Sequence, residues 1–322
     1  MMLYTKRSLG IVADNTNQRV SIFNTRTLQA MQHIPLNADV LDVALTNDCS
    51  RAVVSSFISK MIFQIDLSGR EAEVVGSVTG NTLFEDIALT PDGRFALSTD
   101  GAAENQDIAS YSLRRNAIVS SMPADAQSVA ISPKGNGLVL TTVDSAKSVH
   151  WYKLNHCGGL IDSKREVSGL PYPVNVNFSP DGNFAFVSNY AEGGVSVLST
   201  AQPNRISLIG TVGGLTSQSM AVASDGRILF VLGPDLVSIY AFDPVTGYLS
   251  LQRSFPHGLS IQLYYGVDQI ALDASETRLF ISGVGEVAVF TTYGARIGTV
   301  ADASGPGGLA ICPCAQISYP DC

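Results

Sequence analysis

The segment IALTPDGRFALSTD, residues 87–100, holds a short apolar strand, a turn and a second apolar strand. In the turn, Pro91 presets φ at one position and Gly93 takes a positive φ, so the chain reverses into the second strand. Six such segments occur in the chain, and LAICPC is a half copy at the end. The copies begin at Val43, Ile87, Val129, Val176, Met220, Ile270 and, for the half copy, Leu309.

The spacing of these copies predicts the architecture. The second residue of each copy is used as a marker, and the markers are Ala44, Ala88, Ala130, Asn177, Ala221, Ala271 and Ala310. Successive markers lie 39 to 50 residues apart, and an interval of that length holds four short strands. We therefore expect an all-β fold, a seven-bladed β-propeller with four antiparallel strands per blade, in one domain over residues 1–322.

The marker and the residue after it differ in size in a regular way. Six of the seven markers are Ala, whereas the next residue is always large: Leu45, Leu89, Ile131, Phe178, Val222, Leu272 or Ile311. Successive side chains on a strand point to opposite faces. On the innermost strand of a blade they therefore face the two neighbouring blades in turn. The pattern predicts one crowded and one roomy face on each inner strand.

The two ends of the chain complement each other. Residues 8–14 resemble a second strand with no first strand before it, and residues 307–314 supply a first strand with no second strand after it. We expect both ends to share one blade and close the ring, which removes open strand edges. The turns at residues 47–50 and 274–277 lack Gly, and we expect them to be one residue longer and of another turn type.

Composition limits the class of partner. The chain is 45% hydrophobic and 15% charged, which is enough apolar material for a large core. The net charge of -8 disfavours nucleic acid and anionic membranes as partners. No apolar run reaches the length of a membrane-spanning helix. We expect a monomer with no membrane span that binds a small-molecule or protein ligand and no nucleic acid.

The cysteines bear on the compartment. Their number is odd and the chain is long, which does not indicate a disulfide framework. Free thiols are expected, and pairing of Cys157 or Cys314 with Cys322 is the alternative in an exported protein. No long apolar stretch follows Lys6 and Arg7. A cytoplasmic location is therefore expected, with a secreted or cell-surface location as the alternative if a signal peptide has been removed.

Residues 184–199, FAFVSNYAEGGVSVLS, resemble the repeat of the YVTN/lactonase-like seven-bladed propeller family. That family includes 6-phosphogluconolactonase-like proteins and surface-layer-type repeats. VSIF at 20–23 and VSIYAFDPVTGYL at 237–249 are similar to it too. The resemblance implies a propeller and one of three activities: sugar-lactone hydrolysis, muconate cyclisation or binding without catalysis. No stretch matches a catalytic motif of the enzymatic members, so no functional residue is carried over.

Polar residues precede the apolar inner strands. Two positions before each marker lie seven residues that we call the polar belt: Asp42, Asp86, Ser128, Asn175, Ser219, Gln269 and Gly308. One position earlier still lie Glu85, Gln127, Gln218 and Asp268. By analogy with other propellers, these residues surround the mouth of the central channel. The predicted ligand-binding rim consists of Asp42, Asp86, Gln127, Asn175, Gln218, Gln269, Asp100, Asn189, Tyr190 and Tyr265.

Three interpretations of this rim stay open. The first is a binding protein that holds a small molecule or a protein at the channel mouth. The second is a lactone hydrolase or cyclase, whose candidate catalytic residues are Glu85, Asp86, Asp42 and Asp268 and whose cofactor would be calcium or another divalent cation. The third is structural: polar side chains at strand entrances often cap loop amides or bind channel water. His257 could serve as a base only if the fold brings it to the rim.

Overall fold

The structure, a computed structural model, describes residues 8–81, 83–100, 107–190, 193–262 and 266–313. These residues form seven four-stranded antiparallel sheets, which are the blades of a single propeller. The closing blade consists of β28 (Leu309–Ile311), β1 (Leu9–Asp14), β2 (Arg19–Asn24) and β3 (Gln29–Pro35), in that order from the inside outward. Sequence-distant segments thus share one sheet, as the sequence predicted.

The other six blades follow in chain order, each built from four consecutive strands. Blade 1 consists of β4 (Val40–Leu45), β5 (Arg51–Ser56), β6 (Met61–Asp66) and β7 (Glu73–Thr79), and blade 2 of β8 (Ile87–Leu89), β9 (Phe95–Thr99), β10 (Asp107–Ser112) and β11 (Ala117–Pro123). Blade 3 consists of β12 (Ser128–Ile131), β13 (Leu138–Val143), β14 (Ser148–Leu154) and β15 (Leu160–Ser168).

Blade 4 consists of β16 (Pro173–Phe178), β17 (Phe184–Asn189), β18 (Val195–Ser199) and β19 (Ser207–Val212). Blade 5 consists of β20 (Ser219–Val222), β21 (Ile228–Leu232), β22 (Leu236–Asp243) and β23 (Tyr248–Pro256). Blade 6 consists of β24 (Ile270–Leu272), β25 (Arg278–Gly283), β26 (Glu286–Thr291) and β27 (Arg296–Thr299). In every blade the first of these strands is the innermost one.

The hydrophobic core lies between the blades. In the described part of the chain it divides into seven clusters, one between each pair of neighbouring blades. The size alternation of the inner strands is confirmed here. Ala44 packs toward blade 2, whereas Leu45 packs toward the closing blade. Likewise, Ala221 packs toward blade 6 and Val222 packs toward blade 4.

The turns between the first and second strands share one geometry, including the two that lack Gly. Cys49 and Glu276 adopt φ of 53° and 54°, close to the 66° of Gly93. The amide of each bonds the carbonyl three residues earlier, as the Gly93 amide does. The prediction of a longer turn of another type at residues 47–50 and 274–277 was therefore wrong, since a non-glycine residue occupies the same left-handed position.

The ring closes through hydrogen bonds and through a covalent bond. β28 pairs antiparallel with β1, with Ala310 opposite Ile11. Cys312, just after β28, forms a disulfide with Cys49 in the turn between β4 and β5, across 263 residues of sequence. The expectation of free thiols was therefore wrong for these two residues. Cys157 is exposed and unpaired, while Cys314 and Cys322 lie outside the described residues.

Within the described ranges, the chain contains no helix of the length and hydropathy that a membrane crossing requires.

Candidate functional site

A cavity of about 540 Å³ runs along the central axis of the ring. Its walls are the inner strands of the blades, including the small markers Ala44, Ala88 and Ala130. One end is lined by the turns between first and second strands, where Pro180 and Ser224 are exposed. The other end is lined by the belt residues Asp86 and Asn175 together with Asp268 and Asn177. The cavity is therefore an apolar tube with a polar end.

The polar belt is buried. Asp42, Asp86 and Asn175 are 1%, 3% and 2% exposed, and Ser128, Ser219 and Gln269 are fully buried. This burial means that a ligand approaching from outside the belt end does not meet these side chains first. The carboxylates and amides lie at the inner end of a tube that opens at the turns.

On one side of the ring, the belt side chains bind the next blade. The Ile87 amide donates to Asp42 Oδ2 at 3.2 Å, and the Val129 amide donates to Asp86 Oδ2 at 2.7 Å. Ser128 Oγ accepts in the same way from the Val176 amide at 3.3 Å. Each belt residue thus satisfies a backbone N–H at the entrance of the neighbouring inner strand. This is the structural role that the sequence left open.

On the other side of the ring, belt side chains reach across the channel. Asn175 Nδ2 donates to the Gly266 carbonyl at 2.8 Å and to Asp268 Oδ1 at 3.2 Å. Asn177, the one marker that is not Ala, donates to Asn175 Oδ1 at 2.9 Å. These contacts connect blade 4 with the segment before blade 6, so Asn175, Asn177 and Asp268 form one polar cluster facing the cavity.

The segment Gly266–Gln269 covers the belt end of the channel. Gly266 lies against blades 2 and 3, where a Cβ at this position would meet the Gln127 carbonyl oxygen at 2.4 Å and Asp86 Cβ at 3.1 Å. Its φ of +83° also requires glycine. Val267 is buried beside it. The longest interval between markers thus supplies a stretch of chain that closes one end of the tube.

Three carboxyl groups interact at this closed end: Asp42 and Asp86 are buried, and Asp268 is partly exposed. Burial and, to a smaller extent, the negative charge of Asp86 raise the pKa of Asp268 to about 7. Burial likewise raises the pKa of Asp86 to about 6, although hydrogen bonds from Ser128 and Val129 oppose the shift. The pKa of Asp42 is raised well above its ordinary value by burial and by repulsion from both.

The raised pKa values of Asp42 and Asp86 favour a proton on this pair of carboxyl groups. Among the described residues, no N–H or O–H group donates to Asp42 Oδ1. The carboxyl groups of Asp42 and Asp86 lie within hydrogen-bonding reach of each other, so a proton held by Asp42 bonds the Asp86 carboxylate. Ionisation of both groups is disfavoured, because like charges at one buried site repel each other.

The remaining predicted rim residues are dispersed. Glu85 and Gln127 offer backbone carbonyls to Ser55 and Thr99 of the preceding blades, at 2.9 and 3.1 Å. Neither amide atom of the buried Gln218 side chain has a hydrogen-bond partner among the described residues. Gln269 Nε2 donates to the Pro306 carbonyl at 2.8 Å.

The predicted residues after the second strands lie away from the cavity lining. Asp100 Oδ2 accepts from the Leu83 amide, and Asn189 Nδ2 donates to Ser196 Oγ; both Asp100 and Asn189 are fully buried. The Tyr190 amide donates to the Tyr172 carbonyl. Tyr265 lies outside the described residues. These positions brace loops and do not line the channel.

Both ring nitrogens of His257 form hydrogen bonds with the backbone. The Leu259 amide donates to its Nδ1, so the opposite nitrogen, Nε2, carries the proton that is donated to the Gly233 carbonyl. Burial lowers its pKa. His257 does not line the cavity. It holds the segment that leaves blade 5 and is not positioned as a base for a channel ligand.

The described residues contain no group of three His, Cys, Asp or Glu side chains close enough together to ligate one metal ion. Asp86 and Asp268 face the cavity, while Asp42 lies behind Asp86 and the side chain of Glu85 does not line it. A calcium ion at the belt therefore stays a prediction.

Comparison with known proteins places this geometry in a family. No family model matches the sequence, and no functionally curated protein is significantly similar to it. The crystal structure of a functionally unknown protein from Desulfotomaculum acetoxidans DSM 771 is 37% identical over 95% of this chain and 99% of that chain, with a TM-score of 0.92. The chain belongs to the family of that protein.

More distant structures share the fold. A putative 6-phosphogluconolactonase from Bacteroides uniformis is 16% identical with a TM-score of 0.73, over 92% of this chain and 98% of that chain. A periplasmic gluconolactonase from Pseudomonas aeruginosa is 17% identical with a TM-score of 0.75, over 94% and 98%. The expected resemblance to lactonase-like propellers is confirmed, and at this identity it concerns the fold alone.

Proposed function

We propose that this propeller is a binding protein that holds a small molecule in its central cavity. The observation that carries the proposal is the cavity itself: about 540 Å³, with apolar walls and, at one end, Asp86, Asn175, Asn177 and Asp268. Ligand sites in proteins have this size and this combination of apolar lining with few convergent polar groups. The polar groups fix orientation, and the walls supply buried area.

The proposal is tested by a thermal-shift screen of the purified protein against polyols, sugar lactones, amines and carboxylates. We expect at least one class to raise the melting temperature saturably. The Asn177→Phe variant, whose aromatic ring fills the polar end of the cavity, should lose that response. The variant Asp225→Asn, which alters an exposed turn, should keep it. Compounds that bind equally well to Asn177→Phe would place the ligand outside the cavity and contradict the proposal.

A lactone hydrolase is the second candidate, and Asp268 is the observation that favours it. A carboxylate in a cavity with a pKa of about 7 is suited to activate water as a general base near neutral pH. Two proteins of the same fold carry gluconolactonase names. The described residues that line the cavity include no Lys or Arg to stabilise an oxyanion, which is why binding is preferred here.

Hydrolysis of glucono-1,5-lactone decides between the two candidates. If Asp268 is the base, Asp268→Asn should lower the rate roughly 10²- to 10⁴-fold, as removal of a general base does. The variant Glu73→Gln, which alters an exposed carboxylate on the outer strand β7, serves as control. A rate equal to that of buffer in all three proteins would reject the hydrolase.

A further inference from the structure

The charges that line the cavity all have one sign. Asp86 and Asp268 lie at the closed end, and Asp273 and Glu276 lie at the open end. None of the described lining residues is Lys, Arg or His. An anionic ligand, such as a phosphorylated sugar, would therefore meet repulsion along the whole tube and would find no cationic partner.

The closed end holds negative charge that its surroundings neutralise only in part. Asp268 receives hydrogen bonds from Asn175 and Asn177, and Asp86 receives them from Ser128 and from the Val129 amide. Behind Asp86, Asp42 is 1% exposed and its Oδ1 has no donor among the described residues. Buried carboxylates are stable only when they are paired with a cation or protonated.

The walls between the two ends are apolar. They include Ile87, Val129 and Val176, one from each of three neighbouring blades, together with the small markers. These side chains suit a hydrocarbon body, because none of them offers a hydrogen-bond partner to a hydroxyl group. A cationic head and an apolar body together match what the tube offers.

Given that the cavity is the ligand site proposed above, we propose that its ligand is an organic ammonium ion with an apolar body. The ammonium group binds Asp86 and Asp268 at the closed end, and the hydrocarbon part lies along the inner strands. The donor count fits, because an ammonium has three N–H donors and the two carboxyl groups supply several acceptor oxygens.

Binding of such a cation is linked to proton release. The ionised carboxylates pair with the ammonium, so their pKa values fall toward the ordinary range when the ligand binds. The groups that face Asp268 are Asp86, Asp42, Asn175 and Asn177, none of which carries positive charge. The affinity should therefore rise with pH through the range in which Asp268 ionises, about pH 7.

A charge series of equal length tests the proposal by isothermal titration calorimetry, with n-hexylamine, 1-hexanol and hexanoate as probes. We expect hexylamine to bind about tenfold or more tightly than hexanol, as a desolvated charge pair allows, and hexanoate to bind least. Titrations at pH 6.5 in two buffers of different ionisation enthalpy should show release of protons with hexylamine only.

The variant Asp268→Asn keeps the shape of the side chain and removes its charge. It should lose most of the preference for hexylamine over hexanol, while the control Glu73→Gln should keep it. Hexanol binding as tightly as hexylamine, with Asp268→Asn indifferent, would overturn the ammonium ligand and leave the cavity as the ligand site. If Asn177→Phe also leaves binding of every probe unchanged, the cavity itself is refuted.

Discussion

The two sides of the polar belt use one sequence position in different ways. From blade 1 to blade 3, the belt residues hold the ring together, because Asp42, Asp86 and Ser128 each accept a backbone N–H of the next blade, as Ser219 does in blade 5. Around blades 4 and 6, Asn175 and Asp268 instead bond each other across the channel. A repeated polar residue therefore does not by itself indicate a ring of equivalent ligands.

The difference follows from how the entrances of the inner strands are filled. Where a short side chain lies next to a neighbouring strand, the nearest unsatisfied group is that strand's N–H, and capping it removes a buried unpaired donor. Where Gly266–Gln269 crosses the axis, its backbone brings a carbonyl and a carboxylate within reach of Asn175. Substitutions on the first side should therefore lower the stability of the fold, whereas substitutions on the second side should weaken ligand binding.

The largest effect is expected at the disulfide between Cys49 and Cys312, which we call the clasp. Replacing Cys312 with Ser removes the disulfide to Cys49 and should lower the free energy of unfolding by roughly 3–5 kcal/mol, since a long loop is no longer closed in the unfolded chain. Urea unfolding with and without reductant measures the loss. Cys157→Ser, which alters an exposed unpaired cysteine, should leave the free energy of unfolding unchanged. If reductant does not lower the stability of the wild-type protein, the disulfide does not stabilise the ring.

The same disulfide bears on where the protein works. Disulfides persist in oxidising compartments and are rare in the cytoplasm. The cysteine count had favoured the cytoplasm. Because Cys49 and Cys312 are buried and bonded, we propose an oxidising compartment instead. Thiol labelling of the unfolded protein from acid-quenched cells, with and without prior reduction, tests this, and we expect Cys49 and Cys312 to react only after reduction.

The next largest effect is expected at Gly308. A Cβ at this position would lie 1.7 Å from Asp42 Oδ1 and 3.0 Å from Asp42 Cα, so the backbone has to move. Gly308→Ala should cost about 2–3 kcal/mol, the range for overpacked sites. The matched control is Gly210→Ala on the outer strand β19, where an added Cβ meets no atom within 4 Å. Equal melting temperatures for the two variants would contradict the tight approach.

A smaller effect separates Asp42→Ala from Asp42→Asn. The alanine variant leaves the buried Ile87 amide without an acceptor and should cost about 2 kcal/mol. The asparagine variant still accepts from Ile87 and donates to Asp86, so its stability should stay close to wild type. If Asp42→Asn is as unstable as Asp42→Ala, charge and not capping is what this position supplies.

The last expected effect on stability depends on pH and involves one carboxyl group from each side. Asp86 and Asp268 have folded pKa values of about 6 and about 7, above the ordinary 3.8. The folded state therefore binds more protons, and stability should fall as the pH rises from about 4 to about 7. Asp268→Asn removes one of the two titrating groups and should therefore flatten this fall. Denaturant titrations at several pH values measure how the free energy of unfolding changes with pH. The same slope in wild type and in Asp268→Asn would contradict the raised pKa of Asp268.

The blade architecture could be predicted because it repeats. The Ala markers, the large residues after them and the half copies at the two ends all follow from local sequence, and each is confirmed in the sheets and in the clusters between blades. The same reasoning located the polar belt in sequence. It could not predict the role of the belt, because the spacing of two blades decides whether Asp42 accepts a backbone N–H of the next blade or faces a ligand.

The disulfide and the covered end of the channel could not be predicted, for related reasons. Cys49 and Cys312 lie 263 residues apart, so only the closed ring brings them together. One local signal was available: Cys49 occupies a left-handed turn position where other copies have Gly. The path of Gly266–Gln269 across the axis gives no such signal except the length of its interval.

The clasp also changes the topology of the covalent chain. The backbone from Cys49 to Cys312 and the disulfide that joins them form one closed covalent loop, and strands β1 to β4 precede it. A single peptide-bond cleavage anywhere inside this loop opens it without releasing a fragment. Exposed turns between strands are preferred sites for proteases. One nick in any of the turns inside the loop would therefore leave all seven blades in one covalently connected molecule.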